Sequence, residues 1–239
     1  MIKELEGAIT DEKIRLLLNS LHNAANGQNE KIMNELGPLF QQAQNDRDLA
    51  WDEIEQRLDD KYISLDPATG VFCYLFARAI RARRIIEFGT SFGISTIYLG
   101  MAVRDNGGGI VIGTEMVGKK ARQASENIAA AGLSEFVDIR VGNALETLRD
   151  VQGPVDFFLN DGFVRKLLPV FKMVAPHIRV GGAVITDKVD ESDPVYHEYL
   201  KYVRDPSNDF QSVLLHSNAN SIRELEAISA APKPKRGTL

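Results

Sequence analysis

Five apolar runs of this chain end in residues able to bind a ligand or do chemistry. They are Glu87-Phe88-Gly89, Thr114-Glu115, Gly142-Asn143-Ala144, Asn160-Asp161-Gly162 and Thr186-Asp187-Lys188. Four of the five carry a carboxylate. Carboxylates at such points accept hydrogen bonds from hydroxyls, pair with an ammonium group, ligate a hard cation or move protons. Around the first of them the chain reads RRIIEFGTSFGIST, residues 83–96: a β-branched run, an acid, then Gly89 and Gly93 before a helical pattern begins. A dinucleotide loop would read G-x-G-x-x-G, so that a pyrophosphate approaches the helix N-terminus. Here the glycines stand four apart and an acid precedes the first, which repels phosphate and suits an ammonium.

Glu115 follows Glu87 by 28 residues, at the end of the next strand pattern. There it can accept hydrogen bonds from both hydroxyls of a ribose. A ligand with a ribose, an amino-acid tail and no phosphate satisfies both acids, and S-adenosylmethionine is such a ligand. The glycine loop alone is weak evidence. Together with Glu115 and the Asn143 position it favours adenosylmethionine over a nicotinamide dinucleotide.

The elements that must position these residues follow from periodicity. RIIEF, GIVIGTE, VDIRVG, PVDFFLND and GGAVITDK read as strands, separated by helical patterns such as ISTIYLGMAVR and KKARQASENIAAAG. Such alternation implies right-handed crossovers and a parallel sheet covered on both faces. The expected fold class is therefore α/β, a Rossmann-like, doubly wound, mostly parallel sheet. FQSVLLHSNANSIRELEAIS, with turn chemistry between two extended runs, adds an antiparallel edge hairpin. Residues 1–62 read as an N-terminal helical arm, a cap or a dimer-forming extension, with a break at Gly37-Pro38. Residues 63–230 form the ligand-binding domain and 231–239 a polar, flexible tail.

Composition excludes several classes. A formal charge of −5 argues against nucleic acid as a main partner, since phosphate binding wants a basic surface. No run approaches the roughly 20 apolar residues of a membrane span, and the N-terminus does not read as a signal peptide. The single cysteine, Cys73, sits in an apolar helical run as a packing residue, and a reducing, cytoplasmic setting is the default. No zinc spacing, G-x-S-x-G elbow or P-loop occurs. His177 reads as a helix-end residue and His197 as a surface residue with the acceptor pocket as its other possibility. His216 falls in the edge hairpin.

From about residue 62 to 228, with motifs in register from DPATG through VITDK, the chain resembles the class I O-methyltransferases of the catechol and caffeoyl-coenzyme A type. The resemblance implies that Glu87, Gly89 and Ser95 surround the methionine end of S-adenosylmethionine, with the SLDPATG loop closing near Leu65. It gives Glu115 the ribose, and Asn143 and Ala144 the adenine edge. Phe163 becomes an aromatic ring beside adenine, with core packing as its plain alternative. In this family two aspartates and an asparagine usually hold a divalent ion. Asp161 and Asp187 match the aspartates, but Lys188 stands in the asparagine's place and Val164 where a lysine is often catalytic. No metal ligand set is assigned, and whether a divalent cation is kept stays open. In the simplest reading Lys188 replaces the ion beside Asp161 and Asp187. As an ammonium it would stabilise a developing oxyanion, as a neutral amine it would accept a proton, and Asp161 is the rival base. A small-molecule acceptor would lie between the SLDPATG loop, the Lys188 loop and residues 189–200, most simply presenting a hydroxyl, with an amine still open. The expectation is a methyltransferase acting as a homodimer. The alternative is a non-catalytic adenosylmethionine-binding protein, and a nicotinamide-dependent oxidoreductase ranks third.

Overall fold

Short β-branched and aromatic runs build β1 (Arg84–Phe88), β2 (Ile110–Glu115), β3 (Val137–Val141), β4 (Val155–Asn160) and β5 (Ile178–Thr186). These five pair in parallel. Two more, β6 (Phe210–His216) and β7 (Glu224–Ala230), continue the sheet antiparallel beyond β5. The order is β3-β2-β1-β4-β5-β7-β6, the Rossmann-like arrangement with an edge hairpin that the sequence pattern implies. Strand order reverses between β1 and β4, and a crevice opens there beyond the strands' carboxyl ends. The computed structural model describes residues 2–45, 47–187, 189–216 and 224–230; Lys188 and the expected tail, 231–239, lie outside them.

Neighbouring residues along each strand point to opposite faces, and both faces are buried. Ile85, Val111, Phe157 and Ile185 face one layer, built from α4 (Pro67–Ala79), α5 (Ile94–Asp105) and α6 (Gly118–Ala130). Ile86, Ile112, Phe158 and Val184 face the other, built from α7 (Ala144–Thr147), α8 (Leu167–Val174) and α9 (His197–Arg204). Paired apolar residues in four of the five parallel runs, such as Ile85-Ile86 and Phe157-Phe158, are the signature of a strand covered twice, whereas the edge strand β3, VDIRV, alternates.

The N-terminal segment forms α1 (Lys3–Ala8), α2 (Glu12–Asn45) and α3 (Arg47–Arg57). Leu5, Ile9, Ile14, Leu18 and Leu21 join the first core layer. The expected break at Gly37-Pro38 does not occur, and α2 runs through Pro38. A proline inside a helix costs about 3 kcal/mol. Leu36 and Ala43 are buried, while Leu39 and Phe40 pack in the cluster that holds Ile54 and Trp51. Each large apolar side chain buried there returns roughly 1.5–3 kcal/mol, so packing outweighs the lost hydrogen bond.

No helix among the described residues is long and apolar enough to cross a membrane.

Candidate functional site

A cleft of about 1090 Å³, its open mouth included, lies at the carboxyl ends of β1, β2, β4 and β5. Gly89, Glu115, Ala144, Asp161, Phe163 and Asp187 all line it. Residues singled out far apart in sequence thus meet at one place. Leu65, Glu87 and Ser95 are buried and do not themselves line it. Asn143 caps α7, its Oδ1 accepting from the Leu145 N–H at 3.1 Å.

The turn after β1 is held by its own hydroxyls. Glu87 is fully buried, and its Oε2 accepts from Thr90 Oγ1 at 2.8 Å and Thr96 Oγ1 at 2.6 Å. Burial raises the Glu87 pKa; the Thr96, Ser95 and Thr90 hydroxyls pull it back, and Glu115 adds repulsion. Gly89 stands at φ +100°, where a Cβ would lie 2.5 Å from the Asp161 carbonyl oxygen. Only glycine lets the ends of β1 and β4 approach so closely. Glu115 is fixed at both oxygens: Ser91 N–H donates to Oε2 at 2.7 Å and Val117 N–H to Oε1 at 2.8 Å. A carboxylate has about four acceptor positions, so each oxygen keeps one for a ligand.

Upstream, Asp66 caps α4, accepting from the N–H groups of Ala68 and Thr69 and from the Thr69 hydroxyl. The cap and Pro67 set where the SLDPATG loop ends, with Leu65 buried just before it. At the other end of the cleft Asp187, 3 % exposed, closes β5, while Val164, Ile63 and Tyr196 complete the lining. Burial pushes the Tyr196 phenol up, and Asp193, Asp161 and Asp187 reinforce it, so it stays a neutral donor. Lys188 lies outside the described residues. Among those described, no three His, Cys, Asp or Glu side chains stand together as a metal-ligating group.

Several cleft residues had no signal in the sequence. Lys120 is buried in the wall, donating to the Leu58 carbonyl at 2.7 Å. Burial lowers its pKa, with Glu115, Asp59 and Asp60 pulling the other way. Glu55, Leu58 and Asp59 bring the N-terminal arm onto the cleft, and Lys166 pairs with Glu55 at 3.0 Å. Phe163 meets Trp51 edge to face, with ring centroids 5.7 Å apart. It therefore both lines the cleft and packs. Arm residues carry no motif.

Other candidates fall away from the cleft. His197 is exposed at the start of α9, and His177 ends a short 3-10 turn, Ala175–His177. Cys73 is buried and free, its thiol pushed up by burial and then by Asp187, Asp161 and Glu87.

The family model described as a methyltransferase domain matches residues 86–189, which span the strand ends from β1 to β5. A catechol O-methyltransferase of Niastella koreensis is 33% identical over 140 residues, 57% of this chain and 62% of the relative. One of Mycobacterium tuberculosis is 33% identical over 128 residues, 53% of this chain and 57% of the relative. The match thus covers less than two thirds of either relative. An O-methyltransferase from Bacillus cereus, solved in complex with SAH, superposes with a TM-score of 0.63 at 23% identity, covering 78% of this chain and 92% of that one. Residues 86–189 are thus similar to this methyltransferase domain family.

Proposed function

We propose that this protein is a cytoplasmic, S-adenosylmethionine-dependent methyltransferase that moves a methyl group to a hydroxyl of a small molecule. The observation that carries the proposal is Glu115, a carboxylate fixed at both oxygens by backbone N–H groups and facing the cleft. Such an acid suits a pair of ribose hydroxyls. The buried Glu87 behind the glycine turn suits the ammonium end of the same ligand. The Bacillus cereus relative, solved with SAH, supports the choice. Bound there, S-adenosylmethionine supplies an electrophilic methyl carbon on a sulfonium.

The chain's own groups do the rest. Gly89, Ala144 and Phe163 shape the cofactor's bed, and Asp161, Asp187, Tyr196 and Ile63 border the acceptor end. Asp161 accepts the hydroxyl proton as the acceptor oxygen bonds to the methyl carbon, and the carbon–sulfur pair remains on sulfur. Lys188, next to Asp187 in sequence, balances the carboxylates and stabilises the developing oxyanion as an ammonium.

The family resemblance implies a divalent ion on two aspartates and an asparagine. Asp161 and Asp187 share the cleft, but the third place is a lysine, which offers a cation no oxygen. In this reading the lysine's own positive charge competes with a divalent cation for the two carboxylates and takes the ion's place. No step is routed through one. We retain a homodimer in the proposal, supported by the exposed Leu16 and Met33 on α2 and tested by sedimentation.

The test is calorimetric titration of chelator-treated protein with S-adenosylmethionine, repeated with Mg²⁺. Tight binding unchanged by the ion is expected, followed by methyl transfer to a panel of hydroxyl acceptors and not to matched amines. Binding seen only with Mg²⁺ would refute the metal-free site. No binding in either case would remove the cofactor assignment.

A further inference from the structure

One lysine ties the N-terminal arm to the floor of the cleft. Lys120 sits in the first turn of α6, 6 % exposed, and lines the cleft beside Glu115. Its ammonium donates to the Leu58 carbonyl at 2.7 Å and lies 5.6 Å from the centre of the Phe92 ring. The Leu58 N–H bonds back to the Ile54 carbonyl, so the Leu58 carbonyl belongs to the last turn of α3. A cation is favoured at that end of a helix.

Three further contacts surround this one. Tyr62 stacks on Phe92 with ring centroids 4.0 Å apart and planes 18° apart. Lys166 pairs with Glu55 at 3.0 Å, and Trp51 meets Phe163 edge to face. Residues 51–62 thus touch three separate pieces of the Rossmann body: the turn after β1, the start of α6, and the turn before α8. Leu58 and Ile63 of this segment line the cleft together with Glu115 and Ala144.

We propose that residues 51–63 are the roof of the cofactor site, and that Lys120 is the positioning residue latching this roof to the strand end that carries Glu115. Cofactor entry and product release then require the Lys120–Leu58 contact to open. This rests on the adenosylmethionine reading above. A ligand that touches both sides binds the closed arrangement better, and so shifts the roof toward it.

Trp51 is the chain's single tryptophan and lies on the roof, which makes the motion observable. The probe is S-adenosylhomocysteine, followed by tryptophan fluorescence in a stopped-flow instrument. Lys120→Met is expected to release it about tenfold faster, a normal loss for one charge-assisted hydrogen bond. Lys120→Arg, which keeps a donor cation, is expected to restore most of the wild-type rate. Release from Lys120→Met at the wild-type rate would overturn the proposal. Should that variant fail to fold, amide exchange on the wild-type protein decides. Saturating S-adenosylhomocysteine must slow exchange at residues 54–63, and unchanged exchange there would equally overturn the roof. Failure of the wild-type protein to bind S-adenosylhomocysteine in calorimetry would instead remove the cofactor reading beneath it.

Discussion

Ser91 and Glu115 are joined beyond the ends of the adjacent strands β1 and β2 by a 2.7 Å hydrogen bond, from the Ser91 N–H to Glu115 Oε2. Ser91 makes it from φ +50°, a left-handed conformation that costs a residue with a side chain roughly 1–2 kcal/mol. A hydrogen bond to a charged acceptor contributes about 1.5–3 kcal/mol, enough to hold the strain. The glycine turn after β1 and the acid after β2 are therefore one unit, and the conformation of the first depends on the charge of the second.

Glu115→Ala removes both the proposed ribose acceptor and the anchor of that turn. Adenosylmethionine affinity is expected to fall roughly 10- to 100-fold by calorimetry, with a loss of stability on the order of 1–2 kcal/mol. Glu115→Gln keeps the shape with one acceptor oxygen and is expected to fall between wild type and alanine. An alanine variant binding as tightly as wild type would place the ribose elsewhere.

Gly89→Ala forces a Cβ to within 2.5 Å of the Asp161 carbonyl oxygen and 2.8 Å of the Gly162 Cα, at φ +100°. These are backbone atoms, so no side chain can step aside. A loss of about 2–4 kcal/mol is expected in urea unfolding, together with weakened cofactor binding, since the ends of β1 and β4 must part. Gly132→Ala, also at positive φ but with nothing within 4 Å, serves as the control with strain and no collision.

His22 gives the fold an acid limit. It is 2 % exposed, and its Nε2 lies 2.9 Å from the Tyr98 hydroxyl, between α2 and α5. Burial lowers its pKa to about 4, against a slight upward pull from Asp66. The unfolded chain protonates this histidine near pH 6.5, while the folded chain resists until about pH 4. Protons thus favour the unfolded state throughout that window. Stability from this group is full above pH 6.5 and falls by roughly 3 kcal/mol as pH drops to 4. His22→Gln should flatten that slope in urea midpoints taken at pH 7 and pH 4.5.

Much of this was legible in the chain, for definable reasons. Paired apolar residues such as Ile85-Ile86 report a strand buried on both faces, and an acid or glycine closing each run marks the crevice edge. Local pattern carries that information, so the sheet and the strand-end residues Gly89, Glu115, Asp161 and Asp187 could be placed in advance. Lys120 and Trp51 could not, because their roles depend on α3 folding back over the sheet. That is a long-range contact with no periodic trace. Pro38 misled for the opposite reason: its local cost is visible, whereas the packing of Leu36 and Phe40 that outweighs it is not.

In the proposed reaction Lys188 takes the place of the ion, and replacing it tests that proposal directly. If Lys188 replaces the asparagine that the family resemblance implies, Lys188→Asn adds an oxygen donor and removes the positive charge that follows Asp187 in the chain. Both changes favour a divalent ion, because a cation next to two carboxylates competes electrostatically with Mg²⁺. The variant is expected to bind Mg²⁺ in calorimetry where the wild-type protein does not, and to show methyl transfer that depends on the ion. Wild-type turnover should be indifferent to chelator. Lys188→Met, which removes the charge and supplies no oxygen, should bind no ion and lose turnover by about 10²-fold or more, as expected when a developing oxyanion loses its partner. Equal Mg²⁺ binding by the wild-type protein and Lys188→Asn would show that Asp161 and Asp187 hold an ion despite the lysine, and the oxyanion role would then pass to that ion.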